Sequence, residues 1–347
     1  AVNIIGTTGL TNNGTLLATT ANSRINFFGT SPQIYTGTGT LTTSNLTTQI
    51  NNAAGVTLDA PYSTMALIMT NGLLNTTATN LIQVTGTSAA NVSGGSSASF
   101  VNGPFARNIV NGAATWFFPV GKSSYTFFEI LNPSTAGTVM IQAEVFDADC
   151  GGSIVVPAGH ELNTSRYWFL QAISGAAFNS ATFRINEVNP TTNMILTRCA
   201  TVNGTYTSIH GSQAGSTITS AAATAGLGYF CAAAPAFLSG IYYVGTGQPF
   251  LSLTENTLNG FFRAVNSSGL KGNVTLIVTS DITETGAVAI NEWAEINGSG
   301  HTIKIVPQDA VLKTFSGNVG TDFGMIRLNG ADGLTFDGAF SGSGRYL

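Results

Sequence analysis

The residues able to do chemistry are few and widely spaced. Asp147 and Asp149 stand two apart in Asp147-Ala148-Asp149-Cys150-Gly151-Gly152, the spacing of carboxylates in a calcium loop. Calcium takes roughly 6–8 oxygens, so two carboxylates without further acidic partners make a thin site, and an Asx turn ending a strand is the plainer reading. His160, His210 and His301 have no second His or Cys at ligand spacing, which argues against zinc. His160 beside Glu161 reads as a surface pair. Trp293, flanked by Glu292 and Glu295, is the best candidate for stacking on a sugar ring; the plainer reading is an aromatic covering a loop.

Four further residues, Lys304, Arg327, Asp332 and Asp337, are the types a polysaccharide lyase or hydrolase would use. Alternation turns Arg327 outward between Ile326 and Leu328, whereas Asp332 and Asp337 occupy turn positions. A glycosidase pair needs carboxylates roughly 5–9.5 Å apart, which spacing in the chain does not define, so no catalytic residue is assigned. The first hundred residues hold no Glu, Lys or His at all, which excludes acid–base catalysis there. Thr36, Thr38, Thr40 and Thr42 alternate as if on one strand face. Such a face suits ice or a glycan, and more simply is a solvated edge of a repeat. The three cysteines allow three pairings; Cys199–Cys231 is the expected one, with Cys150 set apart in its Gly-rich turn. Three small buried hydrophobes are the alternative.

The elements that must position these residues are strands. Charged residues make up 8% of the 347, against roughly 25% in an average domain, and 43% are apolar. A formal net charge of −4 leaves no basic face for a phosphate backbone, so nucleic acid is excluded as a partner. No stretch supplies the ~20 apolar residues of a transmembrane helix. The chain opens Ala1-Val2-Asn3-Ile4 without a signal peptide, as a mature N-terminus would after cleavage.

Charge and pattern divide the chain into three expected units, 1–98, 99–236 and 237–347. In the first, Gly-led apolar-Thr segments begin at Gly14, Gly39, Gly55 and Gly72. Short strands at a loose period near 20 predict coils of a parallel β-helix, with Asn stacking in ladders at the turns. In the second, Val139, Ile141, Ala143 and Val145 alternate with Thr138, Met140, Gln142 and Glu144, as do Phe183 and Ile185 with Thr182, Arg184 and Asn186. Long alternating strands predict an antiparallel β-sandwich, its core filled by Trp116-Phe117-Phe118, Tyr125–Phe128 and Tyr167-Trp168-Phe169. In the third, Leu258, Phe261, Phe262 and Val265 mark one amphipathic helix capped by Ser252 or Thr254. Strands then resume at Val274, Ile303, Met325 and Leu334, the step from Ile303 to Met325 being one coil of a second β-helix. That helix is expected to continue beyond residue 347.

Phe100-Val101-Asn102-Gly103-Pro104, Phe118-Pro119-Val120-Gly121-Lys122 with Tyr125, and Arg166-Tyr167-Trp168 together resemble a module of very large secreted proteins of the Bacteroidota. Asn52–Leu58 and Thr70–Leu74 resemble the β-helical coils beside that module, and Gly269–Thr275 and Ile326–Gly338 resemble a second β-helix of the same proteins. The resemblance implies export by the type IX secretion machinery and an adhesin-like place on the outer cell surface. The sorting domain such proteins carry at the C-terminus is not in this sequence. The functional expectation is a non-catalytic structural or adhesive protein, an elongated β-rod presenting Thr/Asn-rich faces to glycans or to copies of itself, with no cofactor, Ca2+ at Asp147 and Asp149 being the alternative. The alternative is a carbohydrate-active or glycan-binding β-helix protein.

Overall fold

A computed structural model describes residues 1–156, 160–191, 193–295, 299–319 and 324–347, and of residues 155 and 156 the backbone alone. The described chain is all-β with a single α-helix, and much of its sheet is parallel. It divides into two compact units, one of residues 1–152, 163–204 and 209–232, the other of residues 153–162, 205–208 and 233–347.

The first unit opens with short strands that pair in parallel with the next strand of the same kind. One ladder joins Val2–Ile4, Ser23–Phe27, Leu46–Asn51, Ala66–Asn71 and Val92–Gly94. Val2 faces Ile25, Ile25 faces Thr48, Thr48 faces Leu67 and Leu67 faces Val92. A second joins Gly9–Thr11, Gln33–Thr36, Val56–Leu58, Leu74–Asn75, Val101–Asn102 and Val120–Gly121. A third set pairs Thr15–Leu17 with Thr40–Thr42, and Tyr62–Thr64 with Ile82–Val84 and Phe105–Ile109. Burial alternates most clearly in Leu46–Asn51, where Leu46, Thr48 and Ile50 are buried while Thr47, Gln49 and Asn51 are half-exposed.

Polar residues inside these ladders are satisfied by one another. Gln33 is fully buried; its Nε2 donates to the carbonyls of Ile4 (2.7 Å) and Gly6 (2.9 Å), and its Oε1 accepts from Asn52 Nδ2 (3.0 Å). Asn52 Nδ2 also reaches the Ser31 carbonyl (2.8 Å), and its Oδ1 accepts the Ala54 N–H (3.0 Å). Gly72 turns the chain beside this amide at φ +82°, where a Cβ would sit 1.7 Å from the Asn52 carbonyl oxygen. Thr36 and Thr40 prove to be on different strands, because Gly37 at φ +119° turns the chain between them. The single Thr face expected over residues 36–42 is therefore absent.

The division expected near residue 98 separates no compact units. Phe105–Ile109 pairs in parallel with Ile82–Val84 on one edge and antiparallel with Val139–Phe146 on the other, so one sheet passes through it. That sheet continues antiparallel through Tyr167–Gly175 to Phe230 in the strand Gly228–Pro235. A second antiparallel sheet runs Thr115–Phe118, Phe128–Thr135, Phe178–Asn186, Thr217–Ser220, His210–Ala214. The alternation expected around Phe183 and Ile185 is present, but Val139–Ala143 is buried on both faces, since Met140 and Gln142 are buried as well as Val139, Ile141 and Ala143. Phe128 and Phe183 of one sheet meet Phe230 of the other with ring centroids 5.1 and 4.8 Å away. Trp116, Phe118 and Trp168 are buried with them, whereas Phe117, Tyr125, Phe127, Tyr167 and Phe169 of the same aromatic runs are only half-buried.

The second unit carries a parallel ladder of Leu238–Val244, Leu270–Val278, Ile303–Pro307 and Leu334–Phe336. Ile303 faces Leu334, a step of 31 residues, and Met325 is not its partner. The helix is Phe261–Ser268, shorter than its sequence pattern suggested. Its N-cap is Gly260, without a side-chain cap; Ser252 Oγ instead accepts the Glu255 N–H (2.9 Å) in a preceding turn. Thr254 is held by Glu284, a buried carboxylate that accepts the N–H groups of Leu253 (2.9 Å) and Thr254 (2.8 Å). Phe261, Phe262 and Val265 join Leu238, Val274, Ile303 and Trp293 in the core of this unit.

Candidate functional site

A cleft of about 380 Å3 in the second unit is lined by Glu292, Trp293, Glu295, Gly300, His301, Asp332 and Gly333. Strand register assembles it. Because Ile303 pairs with Leu334, His301 and Asp332 hold equivalent places ahead of adjacent strands. Glu292 follows Ile290–Asn291, which pairs with Leu328–Asn329, and its N–H donates to the Asn329 carbonyl (3.2 Å). The sequence named Trp293 and both flanking Glu residues; the part of His301 was missed, because the 31-residue step is visible only once Ile303 and Leu334 are recognised as partners.

Two of the wall residues serve the fold first. Trp293 is only 9% exposed and belongs to the core, so its ring offers no open face for a sugar to stack on. Its Nε1 donates to Glu295 Oε1 (3.3 Å). Glu295 also accepts the N–H groups of Gly300 (2.6 Å) and His301 (2.7 Å). Burial pushes the Glu295 carboxyl up, but these two N–H groups, Trp293 and His301 outweigh it and hold it below the usual range. It is an ionised acceptor at neutral pH, unfit to donate a proton. Glu292, Asp332 and His301 complete a wall of hydrogen-bonding groups suited to a polyhydroxylated or aminated ligand.

The other candidates are dispersed. Lys304 Nζ pairs with Asp337 (2.7 Å), and Asp337 also accepts the Ala339 N–H (3.0 Å). Arg327 is half-buried, its guanidinium donating to the carbonyls of Gly286 (2.7 Å) and Ala287 (3.0 Å), while Leu328 is 61% exposed. The alternation expected around Arg327 therefore holds only in part: Ile326 packs against the core, Leu328 is exposed, and Arg327 between them braces a turn. His160 is buried, not a surface residue. Asp147 accepts from Ser123 and from Arg166 Nε (3.0 Å), and Asp149 Oδ1 accepts the Gly151 N–H (2.8 Å). Asp147 thus stands in an ion pair and Asp149 in an Asx turn, and among the described residues no group of three or more His, Cys, Asp or Glu is placed to hold a metal.

None of the three cysteines is in a disulfide. The expected Cys199–Cys231 bridge does not form, because Cys199 lies against Gly228 on the neighbouring strand while Cys231 is three residues further along, roughly 10 Å at strand rise. No described helix is long and apolar enough to cross a membrane. No family model, no curated protein and no solved structure matches the chain.

Proposed function

We propose that this chain is a non-catalytic structural or adhesive protein of the outer cell surface, exported by the type IX route that its sequence resemblance implies. In this reading the parallel ladders of residues 1–121 are coils of a β-helix, the antiparallel sheets after them form a β-sandwich, and the second unit begins another β-helix. The observation that carries it is the set of uncharged side-chain ladders running from strand to strand on the outside of the first unit. Asn26 donates to Asn3 (2.6 Å), Thr40 to Thr15 (3.2 Å), Gln49 Nε2 to Thr70 (2.9 Å) and Asn102 to Asn75 (2.9 Å). A surface of preordered amides and hydroxyls binds polar polymers, or its own copies, with little dependence on salt. The test is retention of protein-coated beads on polysaccharide-coated glass between 50 mM and 1 M NaCl. Retention within about twofold across that range is expected; release by salt, or reducing ends appearing in the polysaccharide, would sink the proposal.

The cleft beside Trp293 favours a second reading, a glycan-binding site. It predicts that an oligosaccharide panel titrated by calorimetry gives one or more binders whose affinity falls about tenfold or more in Glu292→Gln and Asp332→Asn. A panel with no binder, or variants binding like the parent, would remove it.

A further inference from the structure

The two buried thiols Cys150 and Cys231 come together from distant parts of the first unit. Phe146 pairs with Tyr167 and Trp168 pairs with Phe230, so the strands bearing Phe146, Tyr167 and Cys231 lie side by side. Cys231 Sγ lies 3.5 Å from the carbonyl oxygens of both Asn163 and Arg166, so it points at the segment that leads into Tyr167. Beyond Phe146 the chain folds back over that same segment. Asp147 is tied to Arg166, Asp149 accepts the Gly151 N–H, and Gly151 adopts φ +65°. Cys150, in that turn, is 2% exposed, and Cys231 is fully buried with its Sγ against the same segment. The Cys150 side chain, and then burial, hold the Cys231 thiol well above its usual range.

We infer that Cys150 and Cys231 are an oxidisable pair that closes to a disulfide by exchange with a small-molecule disulfide. Cys150 reacts first, because Asp147, Ala148, Asp149 and Gly151 around it are exposed and the turn opens without breaking a strand. Its thiolate attacks one sulfur of the small disulfide, forming a mixed disulfide and releasing one thiolate, which takes up a proton. Cys231, deprotonated in its turn, displaces the second small thiol and forms the Cys150–Cys231 bond. Two protein thiols are oxidised and one small disulfide is reduced to two thiols. The bond ties the turn 147–152 to the strand Gly228–Pro235 and closes a long loop, the case in which a cross-link restricts the unfolded chain most. Half-exposed Cys199, beside Thr201 and Gly204, is left out and serves as an internal control.

The test is incubation of the native chain with glutathione disulfide, alkylation of remaining thiols and peptide mapping by mass spectrometry. The expected map holds a Cys150–Cys231 cross-linked peptide, two hydrogens lighter than the sum of its parts, with Cys199 alkylated or glutathionylated. Oxidation is expected to raise the melting temperature by about 5–15 °C, a rise retained in Cys199→Ser and lost in Cys150→Ser. A Cys199-containing cross-link, or Cys150 and Cys231 both alkylated after denaturation while Cys199 is fully glutathionylated, would overturn the inference. The mapping is done on the natural sequence, so a variant that fails to fold does not blur the outcome.

Discussion

The two halves of the first unit solve the same problem, buried polar groups, with different chemistry. Residues 1–100 carry two charges, Arg24 and Asp59, and bury amides and hydroxyls that bond to each other: Gln33 with Asn52, and Thr48 with Tyr62 (2.8 Å) and Thr64 (3.0 Å). The antiparallel half buries ions. Arg166 bridges Asp147 (3.0 Å) and Glu187 (2.9 Å) and donates to Ser124 (3.1 Å), and Arg184 pairs with Glu129. At the junction, on the strand paired parallel on one edge and antiparallel on the other, Arg107 is fully buried with its guanidinium on the carbonyls of Phe117 (2.8 Å), Ser88 (3.1 Å) and Ala89 (3.0 Å), stacked 4.9 Å over Trp116. The contrast follows from topology. Parallel neighbours bring like side chains into register, where amides satisfy one another and like charges would repel. Antiparallel strands and long connections bring unlike residues together, so ion pairs become affordable.

The largest effect that could sharpen this contrast is loss of the Arg166 guanidinium. Arg166→Met leaves Glu187, whose side chain is 1% exposed, without its counterion, and about 3–5 kcal/mol of stability is expected to go. Equilibrium denaturation measures it. Next comes Asn52→Leu in the parallel half, which orphans Gln33 Oε1 and the Ser31 carbonyl; about 2–3 kcal/mol is expected. A cost at Asn52 equal to or above that at Arg166 would break the comparison.

Acid should separate the halves further. Burial raises the Asp147 carboxyl, but the Ser123 hydroxyl and N–H and the Arg166 guanidinium outweigh it and leave it below the usual range. A native value below the unfolded one, about 3.9, means that its contribution is complete above about pH 4 and is lost as pH falls through the depressed native value. Hydrogen exchange is expected to quicken in Val139–Phe146 and Tyr167–Gly175 over that window while the amides of Leu46–Asn51 hold, and Asp147→Asn should flatten the response. The smallest effect is at the surface. Asn26→Ala removes one exposed rung, the bond to Asn3, and is expected to change stability by no more than about 0.5 kcal/mol. A larger loss there would mean that the outer ladders hold the sheets together as well as decorating them.

Much of the strand inventory was legible because Gly and Asn punctuate short apolar-Thr triplets, as at Gly55-Val56-Thr57-Leu58. The spacing was not. Partner steps vary from 18 residues between Val56 and Leu74 to 27 between Leu74 and Val101, because the turns absorb different lengths of chain. The same cause hid the pairing of Ile303 with Leu334, and with it His301 beside Asp332 in the cleft. The helix was misplaced at its start because Ser252 and Glu255 form a cap-like turn that precedes the helix instead of beginning it. The charge network was invisible for a simpler reason: Asp147, Arg166 and Glu187 carry no local pattern, and only the folding back of antiparallel strands unites them.

The scarcity of ions in the parallel half has a consequence for resistance to proteolysis. A protease that cuts after basic residues meets one target between Ala1 and Ala106, Arg24. That residue sits within Ser23–Phe27, a strand paired on both edges, and its guanidinium is engaged by Gln49 (3.3 Å). Cleavage needs an extended, detached segment, and here the bond after Arg24 lies in a strand one in from the edge of its sheet, paired on both sides.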